Sequence, residues 1–192
     1  MYFHFHSDDS NFNGKLDSVR CEAVKKNGHQ CKNHTVIGQI YCHTHRRTLL
    51  HLQIKKSTIA EAGKGLFAVG KGIVFRPGDR ICMYNGELIN AKELIRRYHD
   101  NTAPYAIELH KKDGKQLYED GAVERGLGSL ANHSRNRNIV NARLSISRTN
   151  RAQLIATKNI RSGSEILVNY GSEYRFNEDV CSSTNKSKQK CF

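Results

Sequence analysis

The sequence predicts a mostly β fold, with a small metal-stapled module in front of it. Three observations carry this. Glycine is frequent (15) and proline rare (2), which suits a turn-rich chain. Apolar segments are short and bounded by turn residues, the mark of many brief strands. The segment "RLSISR" (143–148) alternates strictly, as a strand with one wet face does.

The chain divides into four parts. Residues 1–20 are polar, rich in Asn, Asp and Ser, and read as a loose arm. Residues 21–50 hold most of the cysteine and histidine. Residues 51–176 read as one globular body. Residues 177–192, ending "CSSTNKSKQKCF", read as a flexible tail.

In the body, eight strand candidates follow in order: "LQIKKST" (52–58), "GLFAV" (65–69), "DRICMY" (79–84), "YAIEL" (105–109), "KQLYED" (115–120), "NARLSIS" (141–147), "AQLIATK" (152–158) and "EILVNY" (165–170). "KKDGK" (111–115) and "RTNRA" (148–152) are turn signals between neighbours. One segment reads as helix: Asn90 caps it, Glu93 stands at the third helical position, and "AKELIRRY" follows.

Lys plus Arg number 31 against 18 Asp plus Glu, a net charge of +13. That excess fits an anionic partner, DNA or a nucleosome met through a basic surface, or simply a solvated basic face. The cations are scattered as pairs such as Lys25-Lys26, Arg46-Arg47 and Lys55-Lys56, so no single tract dominates. No apolar stretch reaches the ~20 residues that cross a bilayer, and the N-terminus has no secretory pattern. A membrane is therefore not an expected partner, and an intracellular, chromatin-associated location is expected. Thiols stay reduced there, so the six cysteines are read as free thiols or metal ligands.

Cys21, Cys31, Cys42 and His45 follow the spacing C-x9-C-x10-C-x2-H. Two residues between the last pair let one turn present both to a single ion. Thiolate and imidazole suit tetrahedral Zn2+, and a closed Cys3His set is structural. About 30 residues cannot bury enough core to fold unaided, so metal would supply the folding energy. His43, His34 and His29 are alternative ligands, His43 in place of His45. Cys82, in "RICMY", reads as a core residue.

Four further stretches stand in order: "EAGKGLFAVGKGI" (61–73), "MYNGELI" (83–89), "LANHS" (130–134) and "GSEILVNYG" (163–171). Singly each is a turn, a strand end or a surface loop. Together, over residues 53–174, they resemble the SET-domain protein lysine methyltransferases, in particular compact histone-directed members of viral or microbial type. The resemblance implies small β-sheets with a knot-like C-terminal crossing, S-adenosyl-L-methionine as methyl donor, and histone or another basic chromatin protein as substrate.

It also implies residue roles. Tyr170 matches the catalytic tyrosine, Tyr84 a tyrosine lining the lysine channel, and Tyr105 an aromatic near both cofactor and channel. Lys64, Gly65 and Leu66 match the backbone that holds the cofactor. Asn132 and His133 match the pair that grips its amino-acid and adenine parts. Glu165 matches a glutamate that ties the knot. Departures are equally legible. Arg135 stands where many relatives carry a zinc-binding cysteine after "NHS", and the tail holds only Cys181 and Cys191. A post-SET zinc is therefore not expected. The tail, the N-terminal module or a second copy of the chain in a homodimer would have to cover the cofactor. Val168 and Asn141 stand where relatives carry channel-narrowing aromatics, which points to di- or trimethylation. The alternative reading is an inactive SET body that serves as a nucleic-acid or chromatin-binding module.

Overall fold

The computed structural model describes residues 18–99 and 103–171. No helix among them is long and apolar enough to cross a membrane. The expected arm, apart from its last three residues, and the expected tail with Cys181 and Cys191 lie outside the described residues.

Among the described residues, strand pairing starts at Ser18, three residues before the expected start of the module. Strand β1 (Ser18–Arg20) lies antiparallel to β2 (His34–Val36). Helix α1 (His43–Leu49) follows, a helix the sequence reading does not anticipate. Seven residues are too few for a helical period to stand out. It starts at Cys42 without a side-chain cap. Its position is set by tertiary packing on the next strand rather than by local signals.

In the body, β3 (Leu52–Lys56) and β4 (Lys64–Ala68) form an antiparallel hairpin. Next come β5 (Ile73–Phe75), β6 (Arg80–Met83) and β7 (Glu87–Asn90). Helix α2 (Ala91–Tyr98) is capped as expected: the Asn90 side chain accepts from the Glu93 amide at 2.9 Å. Strands β8 (Ala106–Glu108) and β9 (Leu117–Asp120) make a three-stranded sheet in the order β7-β9-β8. Their "KKDGK" turn has positive φ at Asp113 and Gly114, the type I′ pattern.

A 3-10 turn (Leu127–Leu130) leads into β10 (Asn132–His133). Strands β11 (Ala142–Ile146) and β12 (Ala152–Ala156) form a hairpin that extends onto β6. Then β13 (Ile160–Arg161) pairs β5, and β14 (Leu167–Val168) pairs β10 in parallel. Six of these strands (β1, β2, β5, β7, β10 and β13) are absent from the sequence expectation. Four residues or fewer cannot display a period of two, so nothing local marks them.

The main core holds Leu52, Leu66, Leu154, Ile160, Ile166 and Val168, each at most 1 % exposed. These residues come from strands far apart in sequence, so the core is what draws the motifs together. Cys82 packs against it as expected, and burial pushes its thiol up to about 12. Two acids are fully buried beside the core, Glu119 and Asp120. Glu119 accepts from the Gly86 and Ala152 amides and pairs with Arg151 at 2.9 Å. Asp120 accepts from Tyr98 and pairs with Arg97 at 2.9 Å. Buried carboxylates persist only when so paired.

Candidate active site and metal centre

The short parallel pair β10–β14 brings "LANHS" and "ILVNYG" side by side. Asn132 stands opposite Leu167, and His133 opposite Val168. Tyr170 closes this pair. Its amide donates to His133 Nδ1 at 3.0 Å, and its hydroxyl donates to the Ala131 carbonyl at 2.9 Å. Its ring lies tilted over the His133 ring with centroids 5.3 Å apart. Burial, and then the nearby Arg135 cation, lower the His133 pKa, which favours the neutral ring that can accept at Nδ1.

Asn132 joins the first motif to the last. Its Nδ2 donates to the Lys64 carbonyl at 3.1 Å and to Glu165 Oε1 at 3.0 Å. Glu165 also accepts from the Ser57 hydroxyl and from the Thr58 amide, both at 2.7 Å, and from the Thr58 hydroxyl. Burial pushes this carboxyl up, but those hydrogen bonds outweigh it and hold it below the ordinary range. This crowding explains the glycine at 65. A Cβ there would lie 2.1 Å from Glu165 Oε1, so any side chain would force apart the carboxylate that ties β4 to the C-terminal stretch.

Asn141 makes the crossing. Its Nδ2 donates to the Glu165 carbonyl at 2.7 Å, and its Oδ1 accepts from the Leu167 amide at 3.0 Å. The segment after "NHS" is thereby stitched to the C-terminal stretch. Val168 is buried in the main core.

Tyr84 is 5 % exposed, and its hydroxyl donates to the Tyr105 carbonyl at 2.7 Å. The same carbonyl accepts from the Gly121 amide at 3.0 Å. Burial, and then the proximity of Tyr170, push the Tyr84 hydroxyl pKa well up, so it stays a donor. Tyr105 is half-buried, with the Arg125 guanidinium 4.5 Å from its ring centroid. Lys64 is exposed, whereas Gly65 and Leu66 are buried.

Sequence reasoning missed the cradle around Tyr84. A Cβ at Gly126 would lie 1.8 Å from the Tyr84 carbonyl oxygen, and one at Gly128 would lie 2.8 Å from the Tyr84 Cα. One at Gly121 would lie 3.1 Å from the Tyr84 ring. The run "GAVERGLG" (121–128) is the only local signal of this close approach, and its spacing matches no periodic element.

At the other end, Cys21, Cys31, Cys42 and His45 bring one ligand atom each within 4.8 Å of one another. His43, His34 and His29 stand outside this group. The His45 Nδ1 lies 3.5 Å from the Cys21 Sγ and 3.4 Å from the Cys42 Sγ. Tetrahedral bonds of ~2.3 Å to sulfur and ~2.0 Å to nitrogen imply an S···N edge of about 3.5 Å, so the four residues fit zinc. Backbone and amide donors face the sulfurs: the Cys42 amide to Cys21 at 3.2 Å, the Asn33 amide to Cys31 at 3.4 Å, and Asn33 Nδ2 to Cys42 at 3.7 Å. Such N–H···S contacts favour thiolate and orient ligands.

The family model described as SET domain matches residues 63–171, more than half the chain. The chain is 29% identical over 127 residues to a Histone-lysine N-methyltransferase EZH2 of Chaetomium thermophilum, covering 62% of this chain and 8% of that protein. It is 28% identical over 145 residues to a Variant-silencing SET domain-containing protein of Plasmodium falciparum, covering 70% and 5%. It thus spans less than a tenth of the length of either relative. Among solved structures, the crystal structure of the Chaetomium thermophilum polycomb repressive complex 2 matches with a TM-score of 0.50 and 26% identity, over 64% of this chain and 15% of that one. The same complex with H3K27me3 and H3K27M matches with a TM-score of 0.52 and 25% identity, over 67% and 15%. With the Gly-Lys-Gly, Tyr-Asn-Gly, Asn-His-Ser and Asn-Tyr-Gly motifs gathered around β10 and β14, and the family match running through all four, the chain belongs to the SET-domain family.

Proposed function

We propose that the chain is an S-adenosylmethionine-dependent protein-lysine N-methyltransferase acting on histone or another basic chromatin protein. The observation that carries this is the lock between the third and fourth motifs, with the Tyr170 hydroxyl on the Ala131 carbonyl and the Tyr170 amide on His133. It fixes the proposed catalytic tyrosine beside the proposed cofactor grip. Asn132 commits its Nδ2 to Lys64 and Glu165, so its Oδ1 is left as an acceptor that no described residue uses. Such an acceptor suits the ammonium end of an amino acid. When bound, the cofactor supplies a methyl group on a cationic sulfur.

The residues of the chain do the rest. A lysine of pKa ~10.4 costs about 4 kcal/mol to deprotonate at pH 7.5. The buried Tyr84 ring and the half-buried Tyr105 and Tyr170 rings form apolar walls that disfavour an ammonium. The Tyr84 hydroxyl is spent on the Tyr105 carbonyl, so the channel wall is rigid. Tyr170 orients the amine, and the proton leaves to water. Tight alignment of amine and methyl is the main source of rate in a direct displacement.

Zinc held by Cys21, Cys31, Cys42 and His45 staples residues 21–50 as a module in front of a body spanning 51–176. With Val168 and Asn141 in place of aromatics, di- or trimethyl product is expected. Mass spectrometry finding only monomethyl after exhaustive reaction would count against that. The main test is labelled methyl transfer from S-adenosylmethionine to histones. The wild type transfers, and Tyr170→Phe falls by about 100-fold or more. A wild type silent on histones and on a broad protein extract would overturn the reading. The net charge of +13 favours, as a second reading, docking on DNA or nucleosomes, seen as binding that weakens steeply with salt.

A further inference from the structure

Between the Cys/His cluster and the channel tyrosines runs an unbroken chain of contacts. Helix α1 carries His45 and, next to it, Arg46. Arg46 is 7 % exposed, and its Nη1 donates to Gln39 Oε1 at 2.8 Å. Gln39 Nε2 donates to the Arg125 carbonyl at 3.1 Å, and the Arg125 amide donates to the Ile37 carbonyl at 3.1 Å. Gly38 lies between these two bonds with φ of +86°. A Cβ there would stand 2.7 Å from the Arg125 nitrogen and 2.8 Å from the Glu124 carbonyl carbon. Backbone meets backbone at this point, and only glycine permits it.

Arg125 is thus held on both backbone sides by the module, while its guanidinium covers the Tyr105 ring at 4.5 Å. Its Nε is buried without a hydrogen bond, and the cation lies against the aromatic face. The Tyr105 carbonyl in turn anchors the Tyr84 hydroxyl and the Gly121 amide. Nothing in the four family motifs includes residues 37–39 or Arg125.

Resting on the function proposed above, we infer that Arg125 is a positioning residue for the lysine channel, and that residues 37–39 of the Cys/His module set its place. The module is then a buttress of the substrate side of the site, acting through Arg125 and Tyr105. A guanidinium fixed over Tyr105 holds the residue whose carbonyl anchors the Tyr84 hydroxyl. Released, the ring and the 121–126 loop gain freedom, and the amine loses alignment.

The test uses the full zinc-loaded chain and four variants: Arg125→Ala, Arg125→Met, Arg125→Lys and Gly38→Ala. Hydrogen exchange reports the mechanical link without needing activity. In Gly38→Ala, the Arg125 and Gly121 amides exchange at least about tenfold faster, while β11 and β12 amides keep their protection. Equal protection at Arg125 and Gly121 would overturn the inference, as would uniform loss across the body. Steady-state methylation of a histone-tail peptide reports the consequence. Arg125→Ala and Arg125→Met lower kcat/KM for peptide by about tenfold, while the affinity for S-adenosylmethionine changes less than about twofold. Arg125→Lys restores most of the loss, because an ammonium also sits over an aromatic face. Wild-type kcat/KM in both neutral variants, or a parallel loss of cofactor affinity, would reject the positioning role. A wild type without transferase activity would instead reject the proposed function, and the exchange result would still decide whether the module holds the loop.

Discussion

In residues 18–50 the buried apolar set is Cys21, Ala23, Cys31 and Cys42. In the body it includes Leu52, Leu66, Leu154, Ile160, Ile166 and Val168, joined by Phe75, Ile81 and Leu127. The first set is three thiols and a methyl group. The second is a packed hydrocarbon interior. Hydrophobic burial stabilises by roughly 25 cal/mol per Å2 of apolar surface, and the module has almost none to bury. With zinc in the proposed site, ligation would do in the module what packing does in the body. The two regions therefore answer to different perturbations, although they meet at Gly38 and Arg125 and where α1 packs on β3.

The largest expected effect tests that division directly. Cys42→Ser removes one of four ligands from a site whose binding free energy is on the order of 10 kcal/mol in structural zinc modules. Zinc content falls to near zero and the β1–β2 amides lose exchange protection, while the main thermal transition of the body persists. Collapse of both regions in one step would show that they are a single cooperative unit. The converse change is Leu154→Ala, in a residue with no exposure at the centre of the core. It destabilises the body by about 3 kcal/mol. Zinc affinity stays at the wild-type value in competition with a chelator. A fall in zinc affinity would break the comparison from the other side.

Smaller effects come from the polar ties. Glu165 has a folded pKa below its ordinary value, because its hydrogen bonds outweigh burial. The stabilisation is present above the ordinary carboxylate pKa of ~4.3 and is lost as pH falls through the folded value. Glu165→Gln is less stable than wild type at neutral pH, and its stability declines less between about pH 4.3 and the lower folded pKa. Denaturant midpoints across that range decide it. Parallel curves for the two proteins would remove Glu165 from the account of acid sensitivity. The smallest effect belongs to Asn90→Ala, which removes the α2 cap and costs about 1 kcal/mol. It changes neither zinc content nor methyl transfer, so it calibrates what a purely local loss looks like.

Legibility followed the same division. That Cys21, Cys31 and Cys42 would gather with a histidine could be read from spacing, because C-x2-H is a local constraint that one helical turn satisfies. The choice of His45 over His43, His34 and His29 was not legible, since it depends on where α1 starts. In the body, the Asn90 cap, the "KKDGK" turn and the longer strands were legible from local chemistry. Strands β10 and β13, of two residues each, were not. They exist because the core draws their flanks together.

The sequence by itself determined which motifs the chain holds and in what order: a Cys3His set, a Gly-Lys-Gly turn, a Tyr-Asn-Gly end, an Asn-His-Ser stretch and an Asn-Tyr-Gly. It also determined that Arg135 stands where a further zinc ligand would be expected. Tertiary structure alone decided that Asn132 meets Lys64 and Glu165, that Tyr170 rests on Ala131, that three glycines enclose Tyr84, and that Gly38 seats Arg125 over Tyr105. The physical reason is sequence distance. Spacing and periodicity report only contacts within a turn or a strand pair. Contacts between residues 30 or more apart are fixed by the closing of the common core, at a loop-closure cost no local pattern records.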